Sequence, residues 1–231
     1  MPTISTQDRY LTVLNVFTTD AREKQESLLN EMRVIVDSAD FPGWMSSTVH
    51  SGQDKPGTAN FIQWRSKADL ELRYQGEKFR HATIPLFSEM STDMKLLQTE
   101  VVFTQRHPAL GEVIEVSPKR DDYTVIEIYG VPESDQDELI NSLGTEQEYL
   151  TQTPGYRSHS VLRGVGARFF EGAFVVVYSQ WDSKEAYDAF REAPKAEQPN
   201  ARRRAQSKVD FLRTHYEWNT YRPVHSRSAG E

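Results

Sequence analysis

The chain has 231 residues, of which 37% are hydrophobic and 11% aromatic, with a formal charge of -7 and a pI near 5.5. This is the composition of a globular protein with a core, and its acidity argues against nucleic acid or an anionic membrane as partner, because counterion release needs a basic face. The absence of cysteine excludes disulfides, thiolate nucleophiles, thiolate-bound haem and iron-sulfur clusters carried by this chain.

Met1 to Asp8 is polar with no apolar stretch, and nowhere do 18 apolar residues run together, so no leader or membrane span is expected and the expected location is cytoplasmic. Tyr10 to Phe17 reads as a strand. Ala21 to Ser38 carries Leu28, Leu29, Met32, Ile35 and Val36 at helical spacing. Pro42-Gly43 breaks the chain before a strand from Trp44 to His50, and a polar loop, Ser51 to Thr58, turns it into a returning strand, Ala59 to Trp64. Ser66, with Asp69 three residues on, predicts an N-cap for a helix over Lys67 to Tyr74. An aromatic strand closed by proline, Val101 to Pro108, ends the series.

The landmarks then return in the same order. Phe41-Pro42-Gly43-Trp44 reappears as Thr153-Pro154-Gly155-Tyr156, displaced by about 112 residues, and Gln63-Trp64-Arg65-Ser66-Lys67 as Gln180-Trp181-Asp182-Ser183-Lys184, displaced by about 117. The tyrosine-led run Tyr10-Leu11-Thr12-Val13-Leu14 matches Tyr123-Thr124-Val125-Ile126. Helices are expected over Asp135 to Leu150 and Lys184 to Ala193, and a last strand over His215 to Pro223. The run Arg202-Arg203-Arg204 reads as a solvated helix face. These patterns predict an α+β fold made of two tandem ferredoxin-like β-α-β-β-α-β repeats, residues 1–108 and 123–223, with a linker over 109–122 and a flexible tail over 224–231. An antiparallel sheet with helices on one face needs cover on the other, so the two sheets are expected to pair as an intramolecular barrel. The chain would then be a monomeric pseudo-dimer or would dimerise further.

Two polar residues interrupt this pattern. Asn60 and Trp64 share one strand face with Ile62 because side chains alternate with a period of two, and Asn15 shares a face with Leu11, Val13 and Phe17. A buried asparagine must find partners, either a substrate or an internal network. Packing alone is the competing reading for Trp64, and strand initiation for Asn60. The second copy keeps Trp181 but has Val177 where Asn60 stands, which points to the first copy as the active half.

The Pro-Gly before the second strand, the strand ending in Gln-Trp and the Ser-Lys helix start resemble the antibiotic biosynthesis monooxygenase family of dimeric α/β-barrel proteins. That resemblance implies a cofactor-independent monooxygenase that oxidises an aromatic polyketide of the anthrone, naphthol or hydroquinone type with dioxygen to a quinone. It implies that Asn60 and Trp64 bind substrate oxygens, with Tyr74, Arg80 and His81 as further catalytic candidates and Asn15, Ile62 and Phe79 as substrate contacts. A ring-cleaving oxygenase, a polyketide cyclase, or a non-catalytic small-molecule-binding or stress protein of the same superfamily are the alternatives. The haem-degrading relatives read Phe-x-x-Ala-His, whereas here Phe79-Arg80-His81-Ala82 runs into Thr83. Gly164-Val165-Gly166 lacks its third glycine, and neither HExxH nor Gly-x-Ser-x-Gly occurs, so no cofactor or metal is expected, with dioxygen as co-substrate.

Overall fold

The computed structural model describes residues 1–111 and 113–231. The strands are β1 (Thr3–Ile4), β2 (Leu11–Thr18), β3 (Trp44–Gly52), β4 (Gly57–Trp64), β5 (Asp93–Arg106), β6 (Ile114–Glu115), β7 (Tyr123–Val131), β8 (Tyr156–Arg168), β9 (Ala173–Trp181) and β10 (His215–Ser228). The α-helices are α1 (Arg22–Asp37), α2 (Lys67–Gln75), α3 (Ile84–Met90), α4 (Gln136–Leu143), α5 (Lys184–Glu192) and α6 (Asn200–Leu212). Eight strands close into a barrel in the order β10-β3-β4-β2-β5-β8-β9-β7, with β7 returning to β10. The first half, residues 11–106, supplies β3-β4-β2-β5 and the second, residues 123–228, supplies β8-β9-β7-β10. The halves are joined by β5 on β8 and by β10 on β3, both antiparallel.

Alternation along the strands divides the side chains. Leu14, Val16, Ala59, Phe61, Leu97, Ile126, Ile128, Phe174, Val176, Tyr178 and Tyr221 point inward and fill the barrel. The outward set of the first half, including Val13, Phe17, Trp64 and Leu96, packs against Leu28, Leu29, Met32 and Val36 of α1, Leu70 and Tyr74 of α2 and Phe87 of α3.

The repeated motifs do the same physical work in each half. Gly43 and Gly155 have φ of 78° and 75°, the left-handed region that favours glycine. A Cβ on Gly43 would lie 2.2 Å from the Asp69 carboxyl carbon, and one on Gly155 would lie 2.3 Å from Ala186 Cβ. Each glycine carbonyl accepts the backbone N–H that comes just after the tryptophan, Arg65 to Gly43 and Asp182 to Gly155, both at 2.8 Å. Gln63 accepts from Ser46 Oγ at 2.7 Å and donates to the Thr3 carbonyl at 2.8 Å, while Gln180 accepts from Ser158 Oγ at 2.6 Å and donates to the Glu115 carbonyl at 2.8 Å. Thr3 and Glu115 face each other in the β1–β6 ribbon, so the two glutamines fasten it from both halves. Ser66 and Ser183 cap α2 and α5, accepting from Asp69 N and Ala186 N at 3.2 Å.

Several expectations are corrected. The tail is not loose: residues 224–228 belong to β10, His225 to Ser228 pair with Val49 to Ser46, and Arg227 donates to the carbonyls of Val36 and Ala39 at 2.9 and 2.8 Å. The segment expected as a linker contains β6 and a short 3-10 turn, Pro118–Arg120, and Glu112 within it lies outside the described residues. The strand expected over Val101 to Pro108 begins earlier, at Asp93. The helix expected over Asp135 to Leu150 stops at Leu143, and a 3-10 segment, Thr145–Gln152, comes after Gly144. The strand pairings also move one landmark by a residue: Leu11 faces Trp64 as Tyr123 faces Trp181, so Leu11 rather than Tyr10 is the counterpart of Tyr123.

Deleting residues 224–231 is expected to cost several backbone hydrogen bonds at about 1 kcal/mol each and lower the melting temperature by on the order of 10 °C, which a thermal melt checks. A second expectation concerns acid. His50 and His159 are buried and burial pushes both down to about 4. Their folded pKa lies below the unfolded value, so their stabilising effect is complete above about 6.5 and is lost as pH falls toward 4, by on the order of 3 kcal/mol each. Melts at pH 7, 5.5 and 4 should show this loss, and it should halve when His50 is replaced by Gln.

Candidate functional site

A cavity of about 720 Å³ of space between atoms, its mouth included, lies between the outer face of the first half's strands and helices α1, α2 and α3. β2 contributes Val13, Asn15 and Phe17, β4 contributes Asn60, Ile62 and Trp64, and α2 contributes Leu70, Arg73 and Tyr74. Asn15 and Asn60 are direct cross-strand partners, and Val13 faces Ile62. The period-two reading of both strands is therefore what puts these side chains on one wall.

The polar atoms of this wall have a shared property. Asn15 Oδ1, Asn60 Oδ1, Trp64 Nε1 and the Tyr74 hydroxyl are all shielded from solvent and have no hydrogen-bond partner among the described residues. Trp64 and Tyr74 are each 3% exposed. An unpaired buried polar group costs roughly 1–3 kcal/mol, so four around one cavity are an arrangement that a ligand would complete. The indole N–H can only donate, the amide oxygens can only accept, and the phenol can do either. Burial pushes the Tyr74 phenol well above its usual range, which keeps it protonated and able to donate. Trp44, also at the cavity, is satisfied, its Nε1 donating to Ser47 Oγ at 2.9 Å.

The second half uses its tryptophan differently. Trp181 Nε1 donates to Ser179 Oγ at 3.1 Å, and Ser179 holds the place that Ile62 holds in the first half. The counterpart of Asn15 is Glu127, which accepts from the hydroxyls of Tyr129 and Tyr216 at 2.9 and 2.8 Å. Trp181 is walled in by Tyr156, Tyr187 and Phe190.

Asn15, Asn60, Ile62, Trp64, Tyr74 and Phe79 are thus brought together, whereas Arg80 and His81 are not. Both are exposed, and His81 Nε2 lies 3.2 Å from Glu77 on the solvent side. The physical reason is a π turn, Phe79–Thr83, which swings Phe79, Thr83, Ile84 and Phe87 toward the cavity and leaves residues 80 and 81 outside. Sequence reasoning missed Arg73. Its guanidinium lies 4.3 Å from the Phe41 ring centre and 5.0 Å from that of Phe79, and burial holds its pKa below the ordinary arginine value. Among the described residues it has no ion-pair partner. The signal was its place beside Tyr74 on a helix whose apolar spacing is weak.

No group of three His, Asp or Glu side chains among the described residues is placed to hold a metal ion, and no helix among them is long and apolar enough to cross a membrane.

Comparison with known proteins bears on the family and the fold. The profile of the antibiotic biosynthesis monooxygenase family matches residues 123–201. The crystal structure of an anthrone oxidase-like protein shares 53% sequence identity with a TM-score of 0.97, over 100% of this chain and 98% of that one. A Fusobacterium nucleatum protein bearing a monooxygenase name, at 9% identity and TM-score 0.60 over 96% and 95% of the two chains, shares the fold. So does a regulator of staphylococcal pathogenesis, at 12% identity and TM-score 0.53 over 93% and 99%. No curated protein matches the sequence. With a full-length relative at this identity and the family profile falling on its own residues, the chain belongs to the antibiotic biosynthesis monooxygenase family.

Proposed function

We propose that the protein is a cofactor-independent monooxygenase that oxidises an aromatic polyketide of the anthrone, naphthol or hydroquinone type to a quinone with dioxygen. The observation that carries this reading is the set of four unpartnered polar atoms in a cavity lined mainly by aliphatic and aromatic side chains. Phe41, Trp64, Tyr74 and Phe79 offer flat apolar surface to a polycyclic ring, and Trp64 Nε1 and the Tyr74 hydroxyl offer donors to its oxygens. The similarity to an anthrone oxidase-like protein supports the same substrate class.

In this reading an anthrone gives up a proton to solvent water and becomes its enolate, and the electron-rich anion passes one electron to dioxygen. The radical pair joins as a peroxide anion at the ring carbon, which takes a proton back from solvent, and loss of water leaves the carbonyl, so that a CH2 and one O2 become C=O and H2O. Trp64 Nε1 and the Tyr74 hydroxyl stabilise the oxyanion, while Asn15 and Asn60 hold phenol hydroxyls. The dry cavity strengthens each of these contacts. The substrate supplies the electrons, so no metal or cofactor is required. We further propose that the halves are tandem copies of one ferredoxin-like unit, that the second chiefly completes the barrel, and that the protein works in the cytoplasm as a pseudo-dimer.

Oxygen uptake with an anthrone, measured with a metal chelator present, should exceed the buffer blank, and Asn60→Ala or Trp64→Phe should lower kcat/KM by on the order of 10²-fold. Uptake equal to the blank would sink the oxygenase reading, and unchanged rates in both variants would sink the site. Asn60→Val, which installs the residue found at Val177, should raise stability by about 1 kcal/mol by removing an unsatisfied group while oxygen uptake falls. Paired melts and rates check that trade.

A further inference from the structure

One residue of the first half's cavity wall, Tyr74, is backed by the second half. β8 runs antiparallel to β5 until Arg168 faces Leu96, a cavity residue. The hairpin to β9 then turns through Phe169, at φ 62°, and Gly172, at φ 83°. The Arg168 guanidinium carbon lies 4.4 Å from the centre of the Tyr74 ring, and the Arg168 side chain makes no hydrogen bond or ion pair among the described residues. The Tyr74 ring also stacks on Phe79 at 4.8 Å and 23°. Phe79 lies 5.0 Å from Arg73, Arg73 lies 4.3 Å from Phe41, and Phe41 stacks on Trp64 at 6.4 Å and 29°. A ladder of cations and rings therefore runs from the second half's hairpin to the indole on the cavity wall.

We infer that Arg168 is a positioning residue for Tyr74, so that the site of the first half is complete only with the hairpin of the second against it. The inference rests on the reading of the cavity as a site for a polycyclic phenol. The Tyr74 hydroxyl has no protein partner to orient it, so its direction is set by its ring, and the ring is held by Phe79 and Arg168. A cation over an aromatic face is an attractive contact that leucine cannot supply and lysine can. Burial drives the phenol pKa up, and Arg168 is the foremost charge drawing it back, against Glu71 and with Arg73.

The test is an absorbance titration of the full chain with 1,8-dihydroxyanthraquinone, a flat phenol that does not turn over. Arg168→Leu should weaken binding about three- to tenfold, Arg168→Lys should retain most of it, and Arg168→Leu should add no loss in a Tyr74→Phe background. Binding by Arg168→Leu equal to wild type, a lysine as poor as leucine, or an equal loss in the Tyr74→Phe background would overturn the role of Arg168 while leaving the cavity reading standing. Failure of the wild type to bind the dye would overturn the cavity reading, and this inference with it.

Discussion

Closure of the barrel governs where function can sit. β5 pairs with β8 and β10 with β3, so every strand of the barrel has two neighbours and no edge is left to pair with another chain. An eight-stranded barrel has an interior just wide enough for its own side chains, and here Phe61, Phe174, Tyr178 and Tyr221 fill it. His50 is paired inside, with its Nε2 bonded to the Tyr178 hydroxyl at 2.8 Å. On the outer face of the first half, under the helices, the fold keeps a cavity instead.

The halves share a frame and differ in what they leave unpaired. Pro-Gly, Gln-Trp and the capping serine fix the backbone in the same way in both, through the same hydrogen bonds. The differences are single residues on that frame. Ser179 satisfies Trp181, whereas Ile62 leaves the N–H of Trp64 free. Glu127 is matched by two tyrosine hydroxyls, whereas the oxygens of Asn15 and Asn60 face the cavity without a partner. At these equivalent positions the second half pairs its polar groups internally, and the first half leaves them unpaired.

The frame was legible in the sequence because its parts are local: a glycine with positive φ, a capping serine, and a period of two that aims Asn60 and Trp64 one way. Arg80 and His81, candidates through the resemblance, stand outside the cavity because the π turn Phe79–Thr83 presents Phe79 and Thr83 to it instead, and no sequence pattern records such a turn. Arg73 was missed because its neighbours, Phe41 and Phe79, come from a loop and from that same turn. The tail looked disordered because Val224 to Ser228 is polar. Its order comes from pairing with β3, more than 170 residues away in the chain, which no local pattern records.

Sequence likeness and chemistry also separate along the chain. The family profile falls on residues 123–201, the half whose tryptophan is internally satisfied, and not on the half with the cavity. The residues it covers include Pro154-Gly155, Gln180-Trp181 and Ser183, which hold backbone in place. A duplicated frame allows this division, because one half can keep the packing that closes the barrel while the other accepts unpaired polar groups at a cost in stability. Two ladders, β5 with β8 and β10 with β3, join the halves into one closed sheet, so the packing of the second half supports the strands that carry the unsatisfied groups of the first. What looks like redundancy in the sequence is then a shared frame on which single residues, Ile62 against Ser179 and Asn15 against Glu127, set the two outer faces apart.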